Sequence, residues 1–315
     1  MIEIRNFLNA DLPELAALWC IHHAAYREPP AVNPLVFQQA IASRLFFDAS
    51  RLLVATSDGQ PIAWCQWFPD RNGVAALAAI CFQTDPVALS AVKGLLQAVE
   101  HRAVLAGSTE MTVGVHYQSA WGYQGLDPIG HGLGIDVADD RTNTLLEQAG
   151  YHEKKRIDRW EVATVGYRQP INRDLLSFRR SAKIQRVSST TQPPEVAAAM
   201  VHLDVEQHTL VDLRSSAVLA SAELWVSDPE ALVMPISDAI LATWSGSDRS
   251  SLTNEDTAVK YLIASLIPQL AERRIRSLQH SVATDNLHEA STLIATHFAR
   301  TSAGRLMSKQ LKATD

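Results

Sequence analysis

The chain has 315 residues, enough for two domains of ordinary size, and a 47% hydrophobic content that allows each a buried core. A formal net charge of −6 excludes the usual nucleic-acid binder, which needs a basic footprint to displace counterions from phosphate, but leaves room for a small anionic ligand in a local pocket. The three cysteines, Cys20, Cys65 and Cys81, lack metal-ligand spacing and sit among apolar residues, which points to buried thiols, no metal and a cytoplasmic location.

The opening residues have no cationic region followed by an apolar run, so no secretory signal is expected. No apolar stretch reaches the roughly 18 residues that a spanning helix needs, so no membrane partner is expected either. Ile2, Glu3, Ile4 and Arg5 alternate as a strand, after which Asn9 or Asp11 caps an apolar-periodic helix that tolerates Pro13 in its first turn. Two β-rich runs in residues 51–68 flank Asp58 and Gly59, a hairpin signal. Residues 74–82 read as a buried strand. Thr84, Asp85 and Pro86 then open a helix with Val92, Leu95, Leu96 and Val99 on one face. A strand over 111–117, a short helix over 140–149 and a strand over 156–165 complete the first half.

Residues 164–181 lose periodicity and gain proline and charge, which places a boundary there. The second half repeats the order. A strand over 182–187 precedes a helix over 193–208, strands over 216–226 and 238–244, and a helix over 254–274 that Pro268 should kink or divide. A strand over 277–284, a helix over 288–298 and a last strand over 304–311 follow. One common offset aligns Leu145–Tyr151 with Thr292–Phe298 and Asp139 with Asn286, as an internal duplication would.

Gly130, Gly132 and Gly134 imitate a phosphate loop, yet turn residues precede them and no helix follows at once, so a long flexible connection is expected. His22 and His23 should diverge on their helix, one half-buried and one exposed. Glu153 to Arg156 read as a solvated strand end, and Trp64 and Trp67 point to opposite faces of their strand. Tyr117, Trp121 and Tyr123 are candidates to border a pocket.

An Asx turn, an amphipathic helix, then a Gly-aromatic pair and a charged strand occur at Asp139, Leu145-Leu146 and Gly150-Tyr151. The pattern recurs at Asn286, Leu293 and His297-Phe298, with Ala290 one place from its expected position. This pattern, and the element order of each half, resembles the GNAT acyltransferase superfamily in its tandem form, across nearly the whole chain. The resemblance implies an α/β fold of two GNAT-like domains, each a mixed, twisted central sheet flanked by helices. They would span residues 1–165 and 181–315, joined by a linker at 166–180. It implies acyl transfer from acetyl-CoA or another acyl-CoA to a small-molecule or peptide amine by direct attack. The family's Arg/Gln-x-x-Gly-x-Gly/Ala loop is missing from the first half, where Phe82 to Leu89 offer no glycine, a carboxylate and a proline. The second half keeps Gly246 and Arg249 in a polar loop, which makes it the better acyl-CoA binder. Backbone at Ala242, Thr243 and Trp244 would face the pantetheine, and Asn286 matches the family's asparagine. The tyrosine that often protonates the departing thiolate is leucine in both halves, Leu146 and Leu293, and no catalytic base is singled out. The same departures suit an alternative, a catalytically inactive tandem GNAT-fold protein acting in ligand sensing or protein association.

Overall fold

The computed structural model describes residues 1–30, 32–44, 47–69, 72–114, 123–171, 173–188, 194–228, 230–231, 233–246 and 252–312. The alternating start of the chain forms β1 (Ile2–Asn6) and leads into α1 (Leu12–Ala24), whose first turn holds Pro13 where no backbone N–H is needed. Asp11 fixes that entry by accepting the Leu8 N–H at 2.8 Å and two bonds from Arg5 at 2.7 and 2.8 Å. A short helix that sequence reading passed over, α2 (Pro34–Phe37), runs into a π-turn and is capped by Asn33, which accepts the Val36 N–H at 2.9 Å. Asp58 and Gly59, at φ of 50° and 82°, make the tight turn between β2 (Leu52–Ser57) and β3 (Gln60–Pro69).

β4 (Val74–Phe82) pairs antiparallel with β3, and α3 (Pro86–Leu105) returns the chain to β5 (Glu110–Val113), parallel to β4. Val92, Leu95, Leu96 and Val99 of α3 are buried in one core with Leu53, Cys65, Trp67 and Leu77. β6 (Ile135–Asp136), α4 (Asp140–Gln148) and β7 (His152–Ala163) follow. Next come α5 (Arg173–Ser181), β8 (Ala182–Ser188), α6 (Pro194–Ala199), β9 (Leu203–Asp212), β10 (Val218–Ser227) and β11 (Asp238–Gly246). The chain ends with α7 (Leu252–Glu272), β12 (Ser277–Ala283), α8 (Leu287–Ala295) and β13 (Ala299–Gln310).

Two compact units result, one of Met1–Ile157 with Ala303–Asp315, the other of Asp158–Ser302. In the first, β1 to β4 are antiparallel, β5 is parallel to β4, and Met307–Gln310 of β13 pair antiparallel with β5. In the second, β8 to β11 are antiparallel and β12 is parallel to β11, and Leu262 of α7 shares a core with Leu210, Leu224, Leu241 and Leu278. Each unit is thus α/β, a mixed twisted sheet flanked by helices.

Several expectations are corrected. The division falls inside β7 and β13 rather than at residues 166–180, and the last residues belong with the first unit, because strand pairing follows hydrogen bonds and not chain order. Within the expected linker, α5 begins at Arg173. The helix expected over 193–208 stops at Ala199, and Leu203–Asp212 is a strand laddered on both sides. Its alternation is hidden because two inward positions carry polar residues, Glu206 and His208. Pro268 does not divide α7; buried Leu266, Ile267 and Leu270 on either side hold the turn by packing. The strand expected over 111–117 bends at Gly114 with φ of 85°, and residues 115–117 lie outside those described.

Candidate functional site

In each unit the two central parallel strands part, and a bulge marks the place. In the first, Gln66 faces Ala79 and Trp67 faces Leu77, so Ala78 is the extra residue on β4, and the β4–β5 ladder ends at Leu77 and Val113. In the second, Glu223 faces Thr243 and Leu224 faces Leu241, so Ala242 is the extra residue on β11, and the β11–β12 ladder ends at Ile240 and Gln279. The helix beyond each gap is capped alike. Asp139 (φ −82°, ψ 70°) accepts the Thr142 N–H, and Asn286 (φ −83°, ψ 75°) accepts the Glu289 N–H, both at 3.2 Å. The residue closing each of these helices is also alike, with Gly150 at φ 88° and His297 at φ 65°.

The gap in the first unit is filled from within. His22 receives the Phe82 N–H at Nδ1 (3.4 Å) and sets Nε2 3.1 Å from Asp139. Arg141 donates to the His22 carbonyl at 3.0 Å, and its guanidinium lies 5.0 Å over the Phe82 ring. His23 shares a 2.6 Å bond with the Tyr26 hydroxyl; burial, then the charges of His22, Arg27 and Arg141, hold it well below the usual histidine range. Asp139 is wrapped so that burial would raise its pKa, yet the bond and charge of His22 and the Thr142 bonds hold it below the carboxylate range. A cavity of about 20 Å³ remains, room for little more than a water molecule. At the outer end, Asp85 accepts the Val87 and Ala88 N–H groups at 2.9 and 3.0 Å, so the N-terminus of α3 is capped by its own chain. Asp85→Ala is expected to cost about 1 kcal/mol, read as a lower urea midpoint with unchanged slope.

The second gap is built differently. His280, one residue beyond the end of the ladder, donates from Nδ1 to the Leu241 carbonyl at 2.5 Å and packs its ring 4.3 Å from that of Trp244. Its Nε2 lies 3.6 Å from Glu289 in the first turn of α8. The His280 ring, then His288 and Asn286 to a lesser degree, hold Glu289 below the carboxylate range against the opposing effect of burial.

Of the residues singled out in the sequence, Ala242 is buried at the bulge, Thr243 is exposed, and Trp244 is half-buried beside His280. Gly246 ends β11 opposite Ala220, and Asn286 caps α8; Arg249 lies outside the described residues. Leu146 and Leu293 are both fully buried in apolar cores. His22 and His23 are both buried, contrary to the expected split, because α1 packs on the sheet while aromatic rings and loop residues cover its other side. Trp64 and Trp67 are both buried. Trp64 stacks with Trp19 while Trp67 joins the core beneath α3. Tyr123 is fully buried against Trp19 and bonds Gln66 through its hydroxyl; Tyr117 and Trp121 lie outside the described residues. Residues 123–133 are largely buried and bonded to one another, so Gly130 and Gly134 permit close packing and Gly132, at φ 73°, a left-handed turn, rather than flexibility. Glu153 to Arg156 are exposed, as expected. Sequence reading missed His280 and Glu289; a histidine between Leu278 and Val282 on the buried face of a strand was the available signal. Among the described residues no cluster of His, Cys, Asp and Glu is placed to hold a metal, and no helix is long and apolar enough to cross a membrane.

The fold, with a mixed run of strands parted at a bulge in each unit, is similar to that of solved GNAT structures, a tandem one among them. The chain aligns over its full length with the full length of a tandem GNAT protein from the clavulanic acid biosynthesis pathway, at 10% identity and a TM-score of 0.70. It aligns over 99% of its length with 96% of a GCN5-related N-acetyltransferase from Sphaerobacter thermophilus, at 12% identity and a TM-score of 0.67. A GNAT-family acetyltransferase from Colwellia psychrerythraea is similar across its whole chain and 98% of this one, at 11% identity and a TM-score of 0.55. No family model matches the sequence, and no curated protein does.

Proposed function

We propose that the protein is an N-acyltransferase that moves an acetyl or other acyl group from acyl-CoA to a small-molecule or peptide amine by direct attack. The second unit carries the reaction in this reading. The parting of β11 from β12 at the Ala242 bulge is the observation that supports it, since backbone released from a ladder there is available to the amides of a pantetheine arm. Main chain at Ala242, Thr243 and Trp244 then meets that arm. Gly246 permits close approach of the phosphates, Arg249 pairs with them, and Asn286 holds the first turn of α8 in place. The first unit serves as a degenerate partner. His22 and Asp139 occupy its gap, and Asp85 occupies the N–H groups that would hold a pyrophosphate.

A second reading is favoured by one observation. Leu146 and Leu293 are sealed in apolar cores where the resemblance has a proton-donating tyrosine, which suits a catalytically inactive tandem protein acting in ligand sensing or protein association. Thermal denaturation against acetyl-CoA and free coenzyme A separates the two. A ligand of the native state raises the midpoint with concentration, by about 2.7 kcal/mol at about 100 times its dissociation constant. A dose-dependent rise that disappears in Arg249→Glu is expected. Absence of any shift at millimolar coenzyme transfers the case to the inactive protein.

A further inference from the structure

The second unit holds a pair of groups with no part yet in the acyl-transfer reading. A carbonyl only accepts, so the bond from His280 to the Leu241 oxygen fixes the proton on Nδ1 and leaves Nε2 as the nitrogen that gains or loses one. Nε2 faces the Glu289 carboxylate at 3.6 Å, and Glu289 is itself placed by its N–H bond to Asn286. Trp244 covers the ring, which is buried at the place where the ladder between β11 and β12 ends.

We propose that His280 is the proton carrier of acyl transfer in the second unit, with Leu241 and Glu289 as its positioning groups, an inference that rests on the acyltransferase reading above. The amine nitrogen attacks the thioester carbonyl carbon and forms the C–N bond, and one of its protons passes to His280 Nε2. As the C–S bond breaks, the electron pair stays on sulfur and the same proton moves from Nε2 to it, giving the amide and the free thiol of coenzyme A. One imidazole so performs the step for which the resemblance uses a tyrosine. The residue at that tyrosine's place, Leu293, stands one helical turn from Glu289 and has no proton to give.

The test is His280→Asn, whose side-chain amide N–H sits where Nδ1–H does and keeps the bond to Leu241 while removing the proton-accepting nitrogen. Binding of acetyl-CoA is measured by calorimetry, and thiol release with a panel of primary amines, and with water, is followed colorimetrically. The expected result is an unchanged dissociation constant with thiol release at least about 100-fold slower. Glu289→Gln should lower kcat and leave KM in place. Wild-type protein that binds and turns over acetyl-CoA while His280→Asn keeps pace within about threefold overturns the role of His280 alone. Wild-type protein that fails to bind acetyl-CoA, or binds it without releasing thiol to any amine or to water, overturns the transfer reading and this role together.

Discussion

Gly130→Ala is expected to destabilise the first unit by about 3 kcal/mol, a drop of roughly 6–12 °C in its thermal midpoint. A Cβ on Gly130 would lie 1.6 Å from the Tyr123 carbonyl oxygen, 2.6 Å from its carbon and 2.7 Å from the Gly125 nitrogen. All three are backbone atoms, so no side chain can turn aside to make room. The Gly130 N–H is committed to the Leu126 carbonyl at 2.7 Å, and its own carbonyl accepts from Gly125 at 3.2 Å. Relief therefore requires the whole turn to open. That turn seats Tyr123 on Trp19 and so supports the filled gap that includes His22. Gly94→Ala is the control, because its Cβ would meet only the Ile4 Cδ1 at 3.1 Å, the end of a side chain that can swing, and alanine favours a helix interior. A Gly130→Ala protein as stable as Gly94→Ala would refute the packing argument for this loop.

Glu206→Ala should cost the second unit about 3 kcal/mol, and the cost should depend on pH. The Glu206 carboxylate is wholly covered, yet it accepts two bonds from Arg273 at 2.9 and 2.7 Å, one from His208 at 3.0 Å and an ion pair from Arg186 at 2.9 Å. Burial alone would push its pKa upward. The bonds from His208 and Arg273 and the charges of Arg273 and Arg186 win, and hold it at about 2 against an ordinary 4.5. A carboxylate whose folded pKa is depressed contributes stability above its unfolded pKa, and that contribution fades as pH falls toward the folded one. The gap in urea midpoint between wild type and Glu206→Gln should accordingly be full at pH 7, shrink below about 4.5 and close near pH 2. A gap that stays constant to pH 2 would mean that the carboxylate charge contributes nothing.

Local patterns determined much of this protein. Asp58-Gly59 fixed a hairpin, Asp85-Pro86 a helix start, and the short apolar run over residues 74–82 a buried strand, because each rests on backbone preference or on local composition. The pairing of Asp139 with Asn286 as caps was legible for the same reason, and so was the α/β class. Where a signal depended on partners distant in sequence, reading failed. Leu203–Asp212 looked helical because the partners that make Glu206 and His208 tolerable inside a sheet, Arg186 and Arg273, come from other elements. The place of residues 303–315 in the first unit is set by a ladder to Glu110–Val113, almost 200 positions away in the chain, and hydrogen bonds of that kind leave no local trace. Both gaps are products of tertiary structure too. A bulge exists only relative to the strand it faces, so neither Ala78 nor Ala242 announces itself, and His280 meets Leu241 and Glu289 only once β11, β12 and α8 are assembled. The sequence by itself determined the elements whose signals are local; the strand at Leu203–Asp212, and which groups close one gap and furnish the other, were decided only when strands far apart in the chain came to lie side by side.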